Sequence, residues 1–427
     1  MNIRLTAIVL ACLMILGVCL SGCSKPKANP DVVELKMTMW GKQKDMDFYN
    51  TALKEFYADH PNIHVTIELI PWTRVFDKLL ISTAGGRTPD VSRISSNWFT
   101  PCAAKGLLEP LDPYIENDAE FDIEDFYEPA VEGWGTYKNT IYAIPGDVDI
   151  YAMYYNKDMF DKYGVPYPDE TWDWDTYLSA AKKLSKDLDG DDRLDQWGCN
   201  PDMWQNYVWQ NGGDILNEDR TRCVLDRPEA YRAIQFMVDL RSEHHVAPTP
   251  ADAADIGVQK LFTNGQIGMY VSGSWAAALV FKDEIKTFDY DVAPLPKGKK
   301  RASFIGGAAF GILKGSKHKK EAWELVKFMV SPTMQGYFAE TQHIIPSRRS
   351  VAESGAYLYL KDKPKNKQAF IDTISYGHPL PQVACSREMN EIIASEITLA
   401  ILEKKSAEEA CKHVAPLVND LLKYQRD

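Results

Sequence analysis

Beyond residue 22, the 427-residue sequence contains no hydrophobic stretch that approaches the roughly 20 residues a membrane-spanning helix requires. Acidic residues also outnumber basic ones, since the sequence has 60 Asp and Glu but 48 Lys and Arg, which gives a net charge of −12. A nucleic-acid partner would require a basic surface that displaces counterions from phosphates. The charge balance therefore argues against a nucleic-acid-binding protein.

Cysteine is sparse, and no two cysteines have the CxxC or CxxH spacing of a zinc site. The sequence also lacks GxSxG, HExxH and Walker motifs, which are signatures of common hydrolases and nucleotide-binding proteins. An odd number of cysteines follows the first 23 residues, and Cys199 and Cys223 could pair if a hairpin brings them together. Isolated buried thiols are the expected state.

The amino terminus resembles the leader of a bacterial lipoprotein. Arg4 precedes an uncharged run that ends in Leu20-Ser21-Gly22-Cys23, and this ending resembles the lipobox that directs cleavage before a cysteine. The resemblance implies a signal peptide over residues 1–22, a diacylated Cys23 and a polar tether over 23–30. We expect the mature chain to be lipid-anchored at the extracytoplasmic face of the cell membrane. A plain secretory signal with an incidental cysteine is the alternative.

Strand and helix patterns alternate along the mature chain, beginning near Asp31. Val32–Trp40 is rich in apolar and β-branched residues, Lys44–His60 has apolar residues at helical spacing, and Ile63–Leu69 alternates apolar with polar residues. A longer helix is expected from Asp173 to about Lys186. Such alternation predicts an α/β fold with mostly parallel sheets covered by helices. About 400 residues also exceed what one hydrophobic core usually spans, so the sequence predicts two lobes.

Short motifs spread over nearly the whole mature chain carry a family resemblance. They are, in chain order, Trp40-Gly41, Pro71-Trp72, Gly85 to Val91, Ile144-Pro145, Tyr154-Tyr155-Asn156-Lys157, Thr171-Trp172, Trp209 to Gly213, Gly273-Ser274-Trp275, Pro294-Leu295-Pro296 and Gly306-Gly307. Their order and spacing resemble the extracellular solute-binding proteins of carbohydrate ABC importers. The resemblance implies a two-lobed periplasmic-binding-protein-like fold, each lobe a sheet flanked by helices. A hinge would join an N-terminal lobe (31–148 and 289–317) to a C-terminal lobe (149–288 and 318–427).

The resemblance also implies a function without catalysis. A monomeric receptor would capture a sugar in the cleft between the lobes, close around it, and deliver it to the transmembrane permease of an ABC importer. The abundance of aromatic residues favours a di- or oligosaccharide, because several rings can stack on successive sugars. Polyols, glycerol phosphates and other solutes are alternative ligands, since relatives with similar frames carry them.

A sugar site requires flat aromatic platforms and fixed hydrogen-bonding partners. Ligands of open α/β sheets bind beyond the carboxyl ends of strands, where Trp40, Trp72 and Trp98 fall. These three tryptophans would fit a hydrophobic core equally well, and Asp90 would fit a turn cap. The resemblance implies that a set of residues lies at or near the cleft: Trp40, Asp90, Asn97, Asp149, Tyr151, Trp209, Gly273, Trp275 and Gly306. Trp72 and Trp98, from their positions in the chain, and Asp147, from its pairing with Asp149, complete the candidate ligand-binding residues.

Asp147 and Asp149 support a rival interpretation. At positions i and i+2 of an extended segment, their carboxylates share one face and suggest the paired acids of a retaining glycosidase. The sequence would then encode a surface-anchored enzyme acting on glycosides. The surrounding strand matches a crossing between the lobes of a binding protein, and hydrogen bonding to hydroxyl groups needs such acids without any chemistry.

The acidic segment from Asp187 to Asp195 resembles a calcium-binding loop. Carboxylates at Asp187, Asp189, Asp191 and Asp195 have the spacing of hard oxygen ligands that converge on Ca²⁺. The segment departs from the pattern at Asp192, where the loop prefers glycine, and at Gly198, where a bidentate Glu closes the shell. A structural calcium ion is one interpretation, and an acidic surface turn is the other. No other cofactor is expected.

Overall fold

The computed structural model describes residues 32–41, 43–342 and 344–424. The predicted signal peptide (1–22), Cys23 and the tether (23–30) lie outside these residues. Within the described ranges, no helix combines the length and the apolar character needed to cross a membrane.

Two main β-sheets and the helices that cover them build the fold. The strands in the described ranges are β1 (Val33–Met39), β2 (Ile63–Leu69), β3 (Val91–Ser95), β4 (Thr136–Tyr137), β5 (Thr140–Ile141), β6 (Ile144–Pro145), β7 (Asp147–Asn156), β8 (Trp197–Asn200), β9 (Ile267–Gly273), β10 (Tyr290–Ala293), β11 (Ser303–Gly306), β12 (Ala308–Ile312), β13 (Ile345–Pro346) and β14 (Gly377–His378). The helices there are α1 (Gln43–Asp59), α2 (Val75–Ala84), α3 (Phe99–Ala104), α4 (Asp112–Glu116), α5 (Glu128–Trp134), α6 (Lys157–Tyr163), α7 (Trp174–Leu184), α8 (Trp204–Gln210), α9 (Pro228–Ser242), α10 (Val258–Thr263), α11 (Lys282–Glu284), α12 (Lys319–Met329), α13 (Pro332–Gln342), α14 (Arg349–Ala352), α15 (Gly355–Leu358), α16 (Gln368–Ile374), α17 (Ser386–Ile401) and α18 (Ala407–Tyr424). A short 3₁₀ helix covers Trp72–Arg74, and a π-helix covers Ala277–Phe281.

The strand order is β2-β1-β3-β12-β6 in the first sheet and β14-β11-β7-β9-β8 in the second, where β10 and β13 also pair with β7. Strand β1 is parallel to β2 and β3, whereas β12 is antiparallel to β3. In the second sheet, β8 is parallel to β9, but β7 is antiparallel to β9, β10 and β11. The α/β class is confirmed, while the sheets are mixed rather than mostly parallel. The reason is the direction of the strands. Strand β7 runs away from the point where the chain crosses between the sheets, whereas β9 and β11 run toward that point, so both are antiparallel to β7.

Local sequence explains why these elements form. In β1, alternate residues Leu35, Met37 and Met39 are fully buried and pack with helices α1 and α12. The Tyr-Tyr-Asn-Lys motif ends β7 and starts α6, because the Asn156 side chain caps the helix by accepting a hydrogen bond of 3.0 Å from the Met159 amide. Gly164 ends the same helix with a left-handed φ of 64°.

The chain crosses between the two sheets at Gly146, between β6 and β7, and again at Gly307, between β11 and β12. The two crossings are bonded together, since the Gly146 amide donates to the Ala308 carbonyl at 2.8 Å. Gly307 has a φ of 154°, and a Cβ atom there would lie 2.4 Å from the Asp147 carbonyl oxygen, so only glycine fits. The chain crosses a third time between α13, which packs on the first sheet, and β13, which pairs with β7. The crossings at Gly146 and Gly307 and this third one form the hinge region of the molecule.

The sheet pairings differ from the predicted lobe boundaries. Strands β10 and β11 belong to the second sheet, so the stretch from 290 to 306 does not return to the first lobe, as the prediction of 289–317 required. Helices α12 and α13, predicted in the C-terminal lobe, instead pack in the core of the first sheet with Leu35 and Phe56. Composition could not reveal this, because apolar helix faces look the same whichever sheet they cover.

Candidate functional site

The carboxyl ends of strands from both sheets meet at the hinge. In the first sheet, Trp40 follows β1, and Ser96 follows β3, where its amide donates to the Gly307 carbonyl at 2.9 Å. In the second sheet, Gly273 ends β9 opposite Tyr151, and Gly306 ends β11 opposite Asp149. Seven of the predicted site residues therefore lie at these converging ends: Trp40, Asn97, Trp98, Asp149, Tyr151, Gly273 and Gly306.

A tryptophan cluster forms the wall on the first sheet. The Trp40 ring meets Trp98 edge to face with 5.7 Å between ring centroids, and Trp72 lies 4.9 Å from Trp98. Trp98 is buried and its Nε1 has no hydrogen-bond partner among the described residues, whereas Trp72 is 45% exposed. Asn97 is half-buried beside the cluster. Trp72 and Trp40 thus present aromatic surface, while Trp98 supports them from behind.

Asp147 is tied to the hinge and not free to bind a ligand. Its Oδ2 forms an ion pair with Arg93 Nη2, and its Oδ1 accepts a hydrogen bond of 2.7 Å from the Ala308 amide. Burial lowers the pKa of Arg93, but the Asp147 carboxylate, together with Tyr49 and Asp149, raises it overall, so the guanidinium stays charged. The ligand-binding role predicted for Asp147 is therefore not supported by its contacts, which hold the crossings at Gly146 and Gly307 together.

Asp149 is available to a ligand. One of its oxygens accepts a hydrogen bond of 2.6 Å from Ser274 Oγ, and the residue is half-buried. Loss of solvation raises the pKa of Asp149 to about 7, with the Asp147 carboxylate adding to the effect, although hydrogen bonds from Ser274 and the Trp275 amide oppose it. This carboxyl group can accept hydrogen bonds when ionised and donate one when protonated.

The wall on the second sheet contains Gly273 and Gly306, and aromatic rings lie against both glycines. A Cβ atom on Gly273 would lie 2.3 Å from Trp275 Nε1, and one on Gly306 would lie 2.6 Å from the Phe304 ring. Phe304 in turn meets Tyr151 edge to face at 5.4 Å. Trp275 and Tyr151 are both half-buried. Glycine at these positions allows the rings to approach the backbone of the strand ends closely.

Two predicted site residues lie elsewhere. Asp90 precedes β3, at the end of the strand opposite the hinge, and its carboxylate accepts hydrogen bonds from the Lys36 amide at 2.9 Å and Ser316 Oγ at 2.6 Å. The turn-cap alternative describes it better than ligand binding. Trp209 has no exposed surface, and its ring stacks on His378 at 4.2 Å. Of its neighbouring glycines, Gly213 packs tightly against the start of α9, and Gly212 adopts a positive φ of 81° in the turn after α8.

Sequence reasoning missed Arg93, Phe304 and Asp202. Asp202 follows β8, whose carboxyl end lies at the same edge as that of β9 because the two strands are parallel. Desolvation by surrounding protein raises its pKa although the residue is exposed, as expected for a carboxyl group in a concave surface. Met203 beside it has a positive φ of 54°, a strained conformation that functional loops often contain. The position of Asp202 two residues after the end of β8 was the available signal.

The acidic loop brings three of its four predicted ligands together. Oxygen atoms of Asp187, Asp189 and Asp195 lie within 4.8 Å of one another, and Asp191 is not part of this group. Asp192 adopts a φ of 67°, the conformation for which the calcium loop uses glycine. The amide of Gly190 donates to Asp187 and lowers its pKa. Calcium binding stays a prediction.

The cysteines of the described ranges are all free and buried, and they are Cys102, Cys199, Cys223, Cys385 and Cys411. Cys199 and Cys223 therefore do not pair. Burial raises the pKa of the Cys199 thiol to about 12, which keeps it protonated and unreactive.

Comparison with known proteins places this architecture in a family. The profile of bacterial extracellular solute-binding proteins matches residues 40–336. The arabinooligosaccharide-binding protein of Bacillus subtilis is 25% identical over 345 residues, which are 76% of each chain. An ABC substrate-binding protein of Listeria monocytogenes in complex with cycloalternan superposes with a TM-score of 0.83 at 27% identity, over 92% of this chain and 100% of its own. Maltose-bound MalE3 of T. maritima gives a TM-score of 0.75 at 29% identity, over 92% and 100%.

These solved structures share the two-lobed arrangement, so the predicted fold is confirmed. The match extends across both sheets and includes the hinge strands that carry Asp149, Gly273 and Gly306. The chain belongs to the family of bacterial extracellular solute-binding proteins.

Proposed function

We propose that the protein is the substrate-binding subunit of an ABC importer and captures a di- or oligosaccharide between its two lobes. The observation that carries the proposal is the pair of aromatic walls at the hinge, Trp40 and Trp72 on one side and Tyr151 and Trp275 on the other, with Asp149 beside them. The relatives with bound or named ligands recognise arabinooligosaccharides, cycloalternan and maltose. Several platforms on both walls favour more than one sugar ring.

Binding follows from the chemistry of the two walls. The C–H faces of a pyranose ring pack on indole and phenol rings, which removes apolar surface from water. The Asp149 carboxyl group and the exposed Asp202 carboxylate supply hydrogen bonds to hydroxyl groups. A ligand touches both walls only when the lobes are shut, so its preferential affinity for the closed form shifts the hinge equilibrium toward closure.

Side-chain contacts between helices α2 and α3 and the chain around α17 support a closing motion. Arg387 at the start of α17 forms an ion pair with Asp77 of α2 at 2.6 Å, and its guanidinium lies 5.3 Å from the Phe76 ring centroid. Thr100 Oγ1 also donates a hydrogen bond to Gln382 Oε1. The Arg387–Asp77 pair is exposed and the Thr100–Gln382 hydrogen bond is partly buried. These few contacts join α2 and α3 to the chain around α17, and an exposed ion pair is individually weak, as a reversible closure requires.

The contacts of Asp147 favour a binding protein over a glycosidase. A retaining glycosidase needs two carboxyl groups free to act on one bond. Asp147 is instead engaged by Arg93 and by the Ala308 amide, so it does not form with Asp149 the catalytic pair that the rival interpretation requires. The energy for transport would come from the ATPase subunits of the importer.

Delivery to the permease requires the receptor to stay near the membrane. Diacylation of Cys23 would anchor the chain at the extracytoplasmic face, and the polar tether over 23–30 would let it reach the permease as a monomer.

A thermal-shift screen tests the proposal. The panel contains maltose, maltotriose, cycloalternan, arabinooligosaccharides, polyols and glycerol phosphates, and a ligand at 100 times its dissociation constant adds about 2.7 kcal/mol to the folded state. Titration calorimetry with the best ligand then compares the parent with Trp275→Ala, for which we expect a loss of about 1–3 kcal/mol. Tyr424→Ala removes an 87% exposed ring far along α18 and is the matched control. Stabilisation only by a non-carbohydrate, or equal affinity of both variants, would contradict the proposal.

A further inference from the structure

Arg93 connects the aromatic wall of the first sheet to the hinge. It lies in the middle of β3, and its Cζ atom sits 4.4 Å from the centroid of the Trp40 ring. The same guanidinium forms the ion pair with Asp147, and both side chains are largely buried, at 13% and 10% exposure. A planar guanidinium can stack on a ring and pair with a carboxylate at the same time, which a lysine ammonium does not do.

Asp147 extends this connection to all three crossings of the chain. It is the first residue of β7, directly after Gly146, and its Oδ1 holds the amide of Ala308, the first residue of β12. Its backbone also pairs with Pro346 of β13. A rotation of the lobes changes the backbone at these positions, so it moves the carboxylate to which the Arg93 guanidinium is bound.

The burial of the pair makes the connection stiff. Removing one member of a buried ion pair leaves the other charge unpaired and poorly solvated, which strongly destabilises the folded protein. Arg93 and Asp147 therefore stay together, and the Trp40 ring, covered by Arg93 on one face and held by Trp98 at 5.7 Å, has little freedom of its own. The orientation of the ring and the angle of the hinge are then linked.

We propose that Arg93 is a positioning residue that couples the orientation of the Trp40 ring to the hinge angle through Asp147. The inference rests on the proposed function only in that it assumes a hinge motion. Arg93 acts through Trp40 and Asp147 and need not touch the ligand. A ligand that packs on the free face of Trp40 would bias the hinge through this connection, in addition to bridging the lobes directly.

The test uses the purified ligand-free protein, so it does not depend on which solute binds. Arg93→Lys keeps the positive charge beside Asp147 but loses stacking over Trp40. The double variant Arg93→Met with Asp147→Asn removes both charges together, and the amide oxygen at position 147 can still accept from Ala308. Near-ultraviolet circular dichroism reports the coupling of the indole rings, small-angle X-ray scattering reports the opening of the lobes, and the melting temperature reports stability.

If Arg93 positions the Trp40 ring, both variants should lose the near-ultraviolet signal of the tryptophan cluster. They should also show a larger radius of gyration than the parent. We also expect the double variant to melt above Arg93→Met alone, because no unpaired charge is left buried. A purely stabilising ion pair would instead give parental dichroism and a parental radius in Arg93→Lys or in the double variant, which would overturn the inference. A changed radius with an unchanged indole signal would also overturn it, since Trp40 would then not be coupled. Failure of the carbohydrate screen would leave these readouts unaffected.

Discussion

The half-buried carboxyl group of Asp149 should make the stability of the protein depend on pH. Its pKa rises from an ordinary value of 3.8 to about 7 in the folded state, mainly because the site is poorly solvated. Between these two values the folded protein holds a proton that the unfolded chain has released. The free energy of unfolding contributed by this group is therefore greatest below the unfolded pKa and falls as pH rises through the folded pKa.

The size of the effect follows from the difference between the two pKa values. A difference of about 3 corresponds to about 4 kcal/mol, at about 1.4 kcal/mol for each pKa unit. Asp149 retains some solvent exposure, so this figure is an upper limit and we expect about 1–3 kcal/mol. Asp149→Asn replaces the carboxyl group by a neutral group of the same shape, whose oxygen can still accept from Ser274 Oγ. The free energy of unfolding of the variant should equal that of the parent near pH 4 and exceed it near pH 8.

Urea unfolding followed by tryptophan fluorescence, between about pH 4 and 8.5, measures this difference. Comparing the two proteins at each pH cancels the contribution of the other titrating groups, because they are common to both. With a urea dependence of at least 3 kcal/mol per molar, the midpoints should separate by about 0.3–1 M at the alkaline end. A separation that stays constant across the whole pH range would refute the reasoning, since it would show that Asp149 titrates alike in the folded and unfolded chain.

Two further predictions concern the anchor and the acidic loop. Cys23→Ser should release the protein from membranes or block its processing, as seen by fractionation and immunoblotting, and full membrane retention of a correctly cleaved mutant would contradict the lipoprotein assignment. Calcium should raise the melting temperature and chelation should lower it in the parent, while Asp189→Ala abolishes the response and Asp191→Ala, outside the converging group, preserves it. If millimolar calcium does not change the melting temperature, the segment is an acidic surface turn and does not bind calcium.

Sequence alone determined the features that depend on near neighbours. The expected strands at 32–40 and 63–69 are observed as Val33–Met39 and Ile63–Leu69, and the helix expected from Asp173 to about Lys186 is observed as Trp174–Leu184. Apolar periodicity identifies these elements because burial of one face is decided within a few residues. The motif order was equally informative, since the glycines at 273 and 306 both end strands at the hinge.

Only the tertiary structure decided which residues share the site. Arg93 and Asp147 are 54 positions apart, and they meet because β12 pairs on one side with β3 and on the other with β6, the strand that leads into β7. The same sheet order separates Asp90 from the hinge by the length of β3 and buries Trp209 against His378. It also brings β10 and β11 into the second sheet and α12 and α13 onto the first. Such outcomes depend on which distant elements pair, and local periodicity carries no information about the partner that an apolar face will cover.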